Sequence, residues 1–355
     1  MKCLPCAKVK TAKGNVLHDS HAEVLAIRGF NRWLVDECAD LARQSSAQTG
    51  EWLRRRRTAE EGGGERLLDY GGPSFELNED TGVHMYCSEA PCGDASMELV
   101  MREQEDATPW DRPLAPPPDQ GEENGMLGRG HFDQLGIVRR KPSRPDAPVT
   151  LSKSCSDKLA LKQCTGLLSA LTTRLVVSRG TWLSTLVLPE SQFVPEAVER
   201  CFGKTGRMAR LNTAEVQRMW QDAGHAYRPF DVLSTGREFE YSRRSCDSDR
   251  PVASNLSTIV TPHVQEILIN GVLQGRKQED PRGASSISRR RMWEGVQEVV
   301  GDKGEAGAGP ERQMNADVKL HEDLMGRTKV KEDVRRLALQ GWKRNKGDDE
   351  WTLQW

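Results

Sequence analysis

Three short segments constrain this chain more than anything else in it, because each sets a side chain able to bind a soft metal at the entrance of an amphipathic stretch. His21 sits in HAE, Cys92 in PCGD and Cys155 in SCSD. Behind the first, Val24, Leu25, Ile27, Phe30, Trp33, Leu34, Cys38 and Leu41 recur at helical spacing, and behind the third so do positions 159, 160, 164, 167, 168 and 171. Asp19 or Ser20 is placed to cap the first helix, and Ser156 or Asp157 falls near the start of the third, which spans 154–173. Pro91–Cys92 with Gly93–Asp94 forms a turn into a second amphipathic helix. A fold that uses all three must gather three helix N-termini, where the positive end of the peptide dipole favours thiolates.

Strands are expected in HMYCSEA (84–90), FDQLGIVRR, WLSTLVLPES (182–191) and DVLSTGREFEYSRR, and a helix in VPEAVERCFG. VQEILINGVLQGRK predicts a hairpin turning at Asn270–Gly271. A basic helix, SSISRRRMWEGVQEVV, precedes a Gly-rich break at 301–309 and a final helix over about 320–341. Two stretches interrupt this order and are expected to be disordered insertions. The first, 44–80, carries the run Arg54–Arg57 and the triplet Gly62–Gly64, with one short helix around Trp52; the second, 103–130, is acidic and contains Pro116–Pro118.

Composition narrows the partners. Lys plus Arg number 51 against 52 Asp plus Glu, a net charge of −1, so any nucleic-acid contact must be a local basic patch rather than a general coat. Nine cysteines in 355 residues are too sparse and too odd for a disulfide scaffold, which points to free thiols in the cytoplasm or nucleus. No stretch reads as a signal peptide or a membrane span, and neither DNA binding nor an obligate protein partner is evident.

One His and two Cys match the ligand set of a catalytic zinc with the fourth position left to water. Glu23, two residues after His21, falls where a carboxylate can reach that water without ligating the metal. Zinc deaminases use such a glutamate to move protons while hydroxide attacks C6 of adenine or C4 of cytosine. The common P-C-x-x-C spacing is absent, since Ala95 stands three after Cys92, so the second thiolate has to come from Cys155.

HAE, PCGDA and SCSDK in this order resemble the adenosine deaminases that act on tRNA and, more distantly, those that edit double-stranded RNA. LHDSHAEVLAIRGFNRWL, MYCSEAPCGDASM, QLGIVRRKPSRPDAPVTLSKSCSDKLALKQ, TLVLPESQFVP and INGVLQGRKQEDPRGASSISRR extend the likeness to the fungal tRNA branch. The resemblance implies one adenosine-to-inosine deaminase (editase) domain over 1–355: an α/β fold with a cytidine-deaminase-like core, a mixed sheet flanked by helices, and C-terminal helical and strand extensions. It implies zinc-dependent hydrolytic deamination of adenosine immediately 3′ of the anticodon of alanine tRNA, with His21, Cys92 and Cys155 on zinc and Glu23 as proton shuttle. The alternatives are an inactive or truncated RNA-binding member of the same family, or a deaminase of other RNA. The family ordinarily places a helix and strand before the segment that here begins Met1-Lys2-Cys3-Leu4-Pro5, which raises the expectation of a shortened N-terminus.

Also implied by resemblance is a buried inositol hexakisphosphate, matched to Arg28, Lys158, Arg289, Lys329 and Trp342, with Asp19 and Lys141 relaying between it and the active site. Ile27 and Leu161 stand where relatives carry basic residues. The basic segments supply the RNA-contact candidates Lys2, Arg139, Arg140 and Arg144, which would hold the anticodon stem-loop with the target base unstacked.

Overall fold

The computed structural model describes residues 3–44, 48–56, 73–103, 126–128, 131–132, 134–141, 147–221, 223–246, 254–300, 321 and 324–352. In chain order the elements are α1 (Ala22–Arg43), β1 (Leu53–Arg55), β2 (Phe75–Leu77), β3 (Val83–Tyr86), α2 (Met97–Arg102), β4 (Met126–Leu127), β5 (Arg139–Arg140) and α3 (Cys155–Thr165). They continue with β6 (Leu183–Pro189), α4 (Pro195–Phe202), α5 (Ala214–Gln221), β7 (Asp231–Thr235), β8 (Leu256–Val260), β9 (Gln265–Ile269), β10 (Val272–Leu273), α6 (Arg289–Val300) and α7 (Met325–Leu337).

The architecture is mixed α/β. A parallel sheet runs in the order β3-β6-β7, with Leu186 opposite Met85 on one side and Val232 on the other. Its central strand is apolar nearly throughout, because helices and loops cover both faces of a parallel sheet. A second, antiparallel sheet has the order β10-β9-β8, and β1-β2 and β4-β5 form two-stranded pairs.

Two cores share α1. On one side Ile27 and Phe30 pack with Leu159, Cys164, Leu186, Phe202, Trp220, Val330 and Trp342. On the other, Leu34, Val35, Cys38 and Leu41 meet Leu53, Phe75, Val176, Trp293 and Trp351. A helix apolar around so much of its circumference is buried between layers, and this holds its N-terminus fixed over the end of β3.

The sequence-based elements hold with instructive exceptions. Trp52 precedes a strand, not a helix, and Leu53–Arg55 pairs antiparallel with Phe75–Leu77. The ends of the 44–80 insertion are therefore ordered and supply Leu53, Phe75 and Leu77 to the core. Residues 57–72 and 104–125 of the two insertions lie outside the described residues, as does the break at 301–309. The third helix stops at Thr165, because Gly166 turns the chain at φ +64°. Asp19 does not cap α1, since its carboxylate is taken by cations described below, and His21 occupies the cap position. Strand β8 and helix α5 were not expected. Asn270 and Gly271, at φ +52° and +81°, form the turn predicted for them.

Candidate metal centre and active site

The three ligand-bearing segments converge as their helix starts required. His21 ends the extended entry to α1, Cys92 follows β3 in a turn leading through a short 3-10 segment into α2, and Cys155 opens α3. Ser154 caps α3, its Oγ accepting from the Asp157 amide at 3.1 Å, and the buried Asp157 carboxylate binds Ser154 Oγ at 2.6 Å, Arg139 N at 3.0 Å and Arg207 Nη1 at 2.6 Å. Ser156 Oγ stitches the two cysteine segments together: it donates toward the carbonyls of Pro91 (2.8 Å) and Cys92 (3.0 Å) and accepts from Ala95 N (3.1 Å). Gly93 permits this closeness. At φ +105° a side chain is disfavoured, and a Cβ there would lie 2.3 Å from that of Ser154.

One ligand atom from each of His21, Cys92 and Cys155 falls within 4.8 Å of the other two. The His21 Nδ1 to Cys92 Sγ separation is 3.6 Å, matching the edge of about 3.6 Å that tetrahedral geometry requires for ordinary Zn–N and Zn–S bonds. The donor set therefore fits zinc with a position left open. The Cys155 thiol, and after it the Lys141 ammonium, hold Cys92 well below the usual thiol range despite its burial. Glu23, in the first turn of α1, is outside this ligand group but lines the same pocket. Burial, and next the negative charge of Cys92, raise its pKa above the ordinary carboxylate value.

That pocket, about 1010 Å³, opens between α1, the end of β3 and strand β8, with His21, Glu23 and Cys92 among its lining. Phe30, Trp33, Trp52, Tyr86 and Phe239 also line it.

Behind the metal ligands lies a chain of charged groups. Lys141 Nζ donates to Cys155 Sγ at 3.2 Å and to Asp19 Oδ2 at 2.9 Å. Asp19 also accepts from Lys158, from Ser152 Oγ at 2.5 Å and from the His21 amide at 3.0 Å. Lys158 and then Lys141 hold the Asp19 carboxyl well below its usual range against the cost of burial. Lys141 and Asp19 thus connect Lys158 to Cys155 through direct contacts.

Lys158 borders a second cavity, of about 310 Å³, walled by Arg28, Lys162, Arg289, Trp342 and apolar side chains of α1, α3 and α6. Arg28 donates only to the Ile287 carbonyl (2.8 Å), and Lys162 to those of Leu167 and Leu168 (2.9 and 3.1 Å); among the described residues neither has a carboxylate partner. Burial, then the nearby Arg327 and Arg28, push Lys162 well below the usual amine range, and burial lowers Arg28 to about 10. Buried cations without counter-charge are costly; Arg289 and Lys158 are paired, with Asp348 at 3.3 Å and with Asp19, which leaves Arg28 and Lys162 as the two cations of this wall short of an anion among the described residues.

The structure parts from the sequence at two candidates. Lys329 is exposed on α7, bound to Asp333 at 3.3 Å, and does not wall the cavity; helical spacing alone left its direction open. Lys162 does wall it, beside Leu161, and nothing distinguished it in the sequence from a surface lysine. Arg139 is only 1% exposed, its guanidinium donating to the carbonyls of Gly128, His131 and Gln134, so it braces a loop and presents no charge to an RNA phosphate. Arg140 remains half-buried beside it, while Lys2 and Arg144 lie outside the described residues.

Comparison with known proteins identifies the family. A family model for the adenosine-deaminase (editase) domain matches residues 1–346. The curated relatives include the following three named tRNA-specific adenosine deaminase 1. That of Schizosaccharomyces pombe is 37% identical over 295 residues, covering 82% of this chain and 69% of its own. The Saccharomyces cerevisiae protein is 31% identical over 202 residues, 53% of this chain and 44% of its own. The Drosophila melanogaster protein is 26% identical over 316 residues, 84% of this chain and 69% of its own.

Proposed function

The chain belongs to the adenosine-deaminase (editase) domain family, and from that premise we propose that it hydrolyses adenosine to inosine in tRNA, at the base immediately 3′ of the anticodon of alanine tRNA. The observation that carries this is the His21–Cys92–Cys155 triangle, two of whose members, His21 and Cys92, line a pocket together with Glu23. Zinc held by these three residues supplies the Lewis acidity that lets a water ionise near neutral pH.

The remaining chemistry belongs to the chain's own groups. Glu23 has a carboxyl whose raised pKa suits it to carry two protons in turn: one from the attacking water to the purine ring nitrogen, and one from the hydroxyl formed on the ring to the departing amine. Fixing α1 between two cores keeps that carboxyl within the site. Lys141, paired with Asp19, holds positive charge against Cys155 Sγ and steadies the thiolate side of the site. The target base reaches this depth only if unstacked, as anticodon-loop bases can be. Arg140, Lys2 and Arg144 are the proposed phosphate contacts.

We further read β3-β6-β7 with α1 and α3 as a cytidine-deaminase-like core within a single domain, the C-terminal helices and the β8-β9-β10 sheet being extensions. The second cavity takes inositol hexakisphosphate, held by Arg28, Lys158, Lys162 and Arg289 beside Trp342, and Lys158–Asp19–Lys141 links it to Cys155. Nine free thiols favour a reducing compartment, cytoplasm or nucleus. Among the described residues no helix is long and apolar enough to cross a membrane.

The test is incubation of the purified protein with unmodified alanine tRNA and sequencing for inosine 3′ of the anticodon, alongside metal and phosphate analysis of the protein. Inosine with one bound zinc is expected. Zinc-loaded protein that leaves the tRNA unedited would sink the proposal.

A further inference from the structure

Beyond His21, Cys92 and Glu23, the pocket has a wall of contacting aromatic rings that the deamination chemistry does not use. Phe30 and Trp33 lie one turn apart on α1 with centroids 5.7 Å apart. Trp33 in turn meets Trp52 edge-on at 6.0 Å. Trp33 is held in place by its indole N–H, which donates to Glu37 at 3.0 Å, and Glu37 is itself bound to His263 at 3.0 Å. Trp52, at the outer end, is 40% exposed. The three rings form a ladder from the helix that carries Glu23 to the pocket's rim.

Trp52 packs one edge against Trp33 and leaves 40% of its surface open where it lines the pocket. The adjacent Leu53 is buried in the second core, whereas Trp52 turns outward over the pocket. An aromatic face at the mouth of a base-binding pocket is the surface on which an unpaired nucleobase gains stability without being read for sequence. An adenosine drawn down to Glu23 loses stacking with its neighbours, and those neighbours need another surface.

We propose that Trp52 stacks on the nucleobase next to the target adenosine, with Trp33 and Glu37 as positioning residues that hold the indole at the rim. This rests on the adenosine-deaminase reading of the same pocket. Trp52 acts in binding, so its loss raises KM and leaves kcat near the wild-type value.

The experiment uses a stem-loop RNA carrying 2-aminopurine beside the target adenosine, whose fluorescence falls when it stacks on a ring. Wild-type protein is expected to quench it. Trp52→Ala is expected to lose the quenching and raise KM for inosine formation by roughly tenfold, within the range for loss of one base–aromatic stack, while Trp52→Phe restores most of both. Trp52→Leu keeps an apolar side chain against Trp33 without a π-face. It should melt like wild type yet quench like the alanine variant, which separates stacking from a folding defect. Wild-type quenching and KM in Trp52→Ala and Trp52→Leu would overturn the proposal. If no inosine forms with any protein, the deaminase reading fails on that count, and the quenching comparison still decides the role of Trp52.

Discussion

Glu23 and Asp19 stand four residues apart and do opposite work. Glu23 keeps a carboxyl of raised pKa facing the pocket, so Glu23→Gln should retain zinc and fold while lowering kcat by roughly 10²–10⁴, the span attributable to a proton-transferring side chain; inosine assays with metal analysis check this. Asp19 is a buried counter-charge for Lys141 and Lys158. Asp19→Asn leaves both ammonium groups short of compensation and should destabilise the fold by about 3–5 kcal/mol in a denaturant titration, with a loss of activity that follows the fold. That His21, Cys92 and Cys155 come together, with Glu23 lining the same pocket, was legible because each sits in a short segment whose chemistry is local. Lys162 and Lys329 were not, because which side of a helix faces a cavity depends on neighbours distant in sequence. Arg139 reads as part of a basic surface run, and only the loop carbonyls folded around its guanidinium reveal a brace.

At the scale of elements, long periodic helices and the Asn270–Gly271 turn were recoverable from pattern, since their signals lie within the segment itself. The β1-β2 pair was hidden because its strands are three residues each, separated by a polar stretch that dominates any local window. The Arg56 amide donates to the Ser74 carbonyl at 2.9 Å, so the two ends of that stretch already meet. Replacing 57–72 with a short Gly-containing link should therefore leave melting temperature and editing close to wild type, as measured by calorimetry and inosine yield; a large fall in either would give the insertion a structural or RNA-binding role. The second hairpin is less tolerant. Gly271 is at φ +81°, and an added Cβ would come within 2.6 Å of the Leu17 carbonyl. Gly271→Ala should cost about 1–3 kcal/mol in thermal or chemical denaturation, by disturbing the segment that leads to Asp19 and His21.

For the whole molecule, the mixed α/β class was readable from the alternation of strand and helix patterns, whereas the second cavity, whose walls come from α1, α3, α6 and Trp342, was reached only through the family resemblance, which named Arg28, Lys158, Arg289 and Trp342 together. The same distance between partners shapes the response to acid. His225, buried beside Trp182, has its pKa lowered from 6.5 to about 4, first by burial and then by Arg327 and Lys331. Above pH 6.5 folded and unfolded chains both hold it neutral. Below that the unfolded chain takes up a proton that the folded one refuses, so stability falls as the pH drops from 6.5 toward 4 and levels off below. The full depression corresponds to about 3 kcal/mol, and a His225→Gln variant should lack this part of the acid loss in unfolding titrations across that window. The scattered walls also bear on the order of synthesis. A growing chain has every metal ligand in hand once Cys155 is made, yet the cavity beside them has no enclosure until Arg289 and finally Trp342 emerge and fold back onto α1 and α3. The walls of that space are therefore complete only after Trp342 has been made, so an occupant held by all of them would mark a molecule folded through that residue.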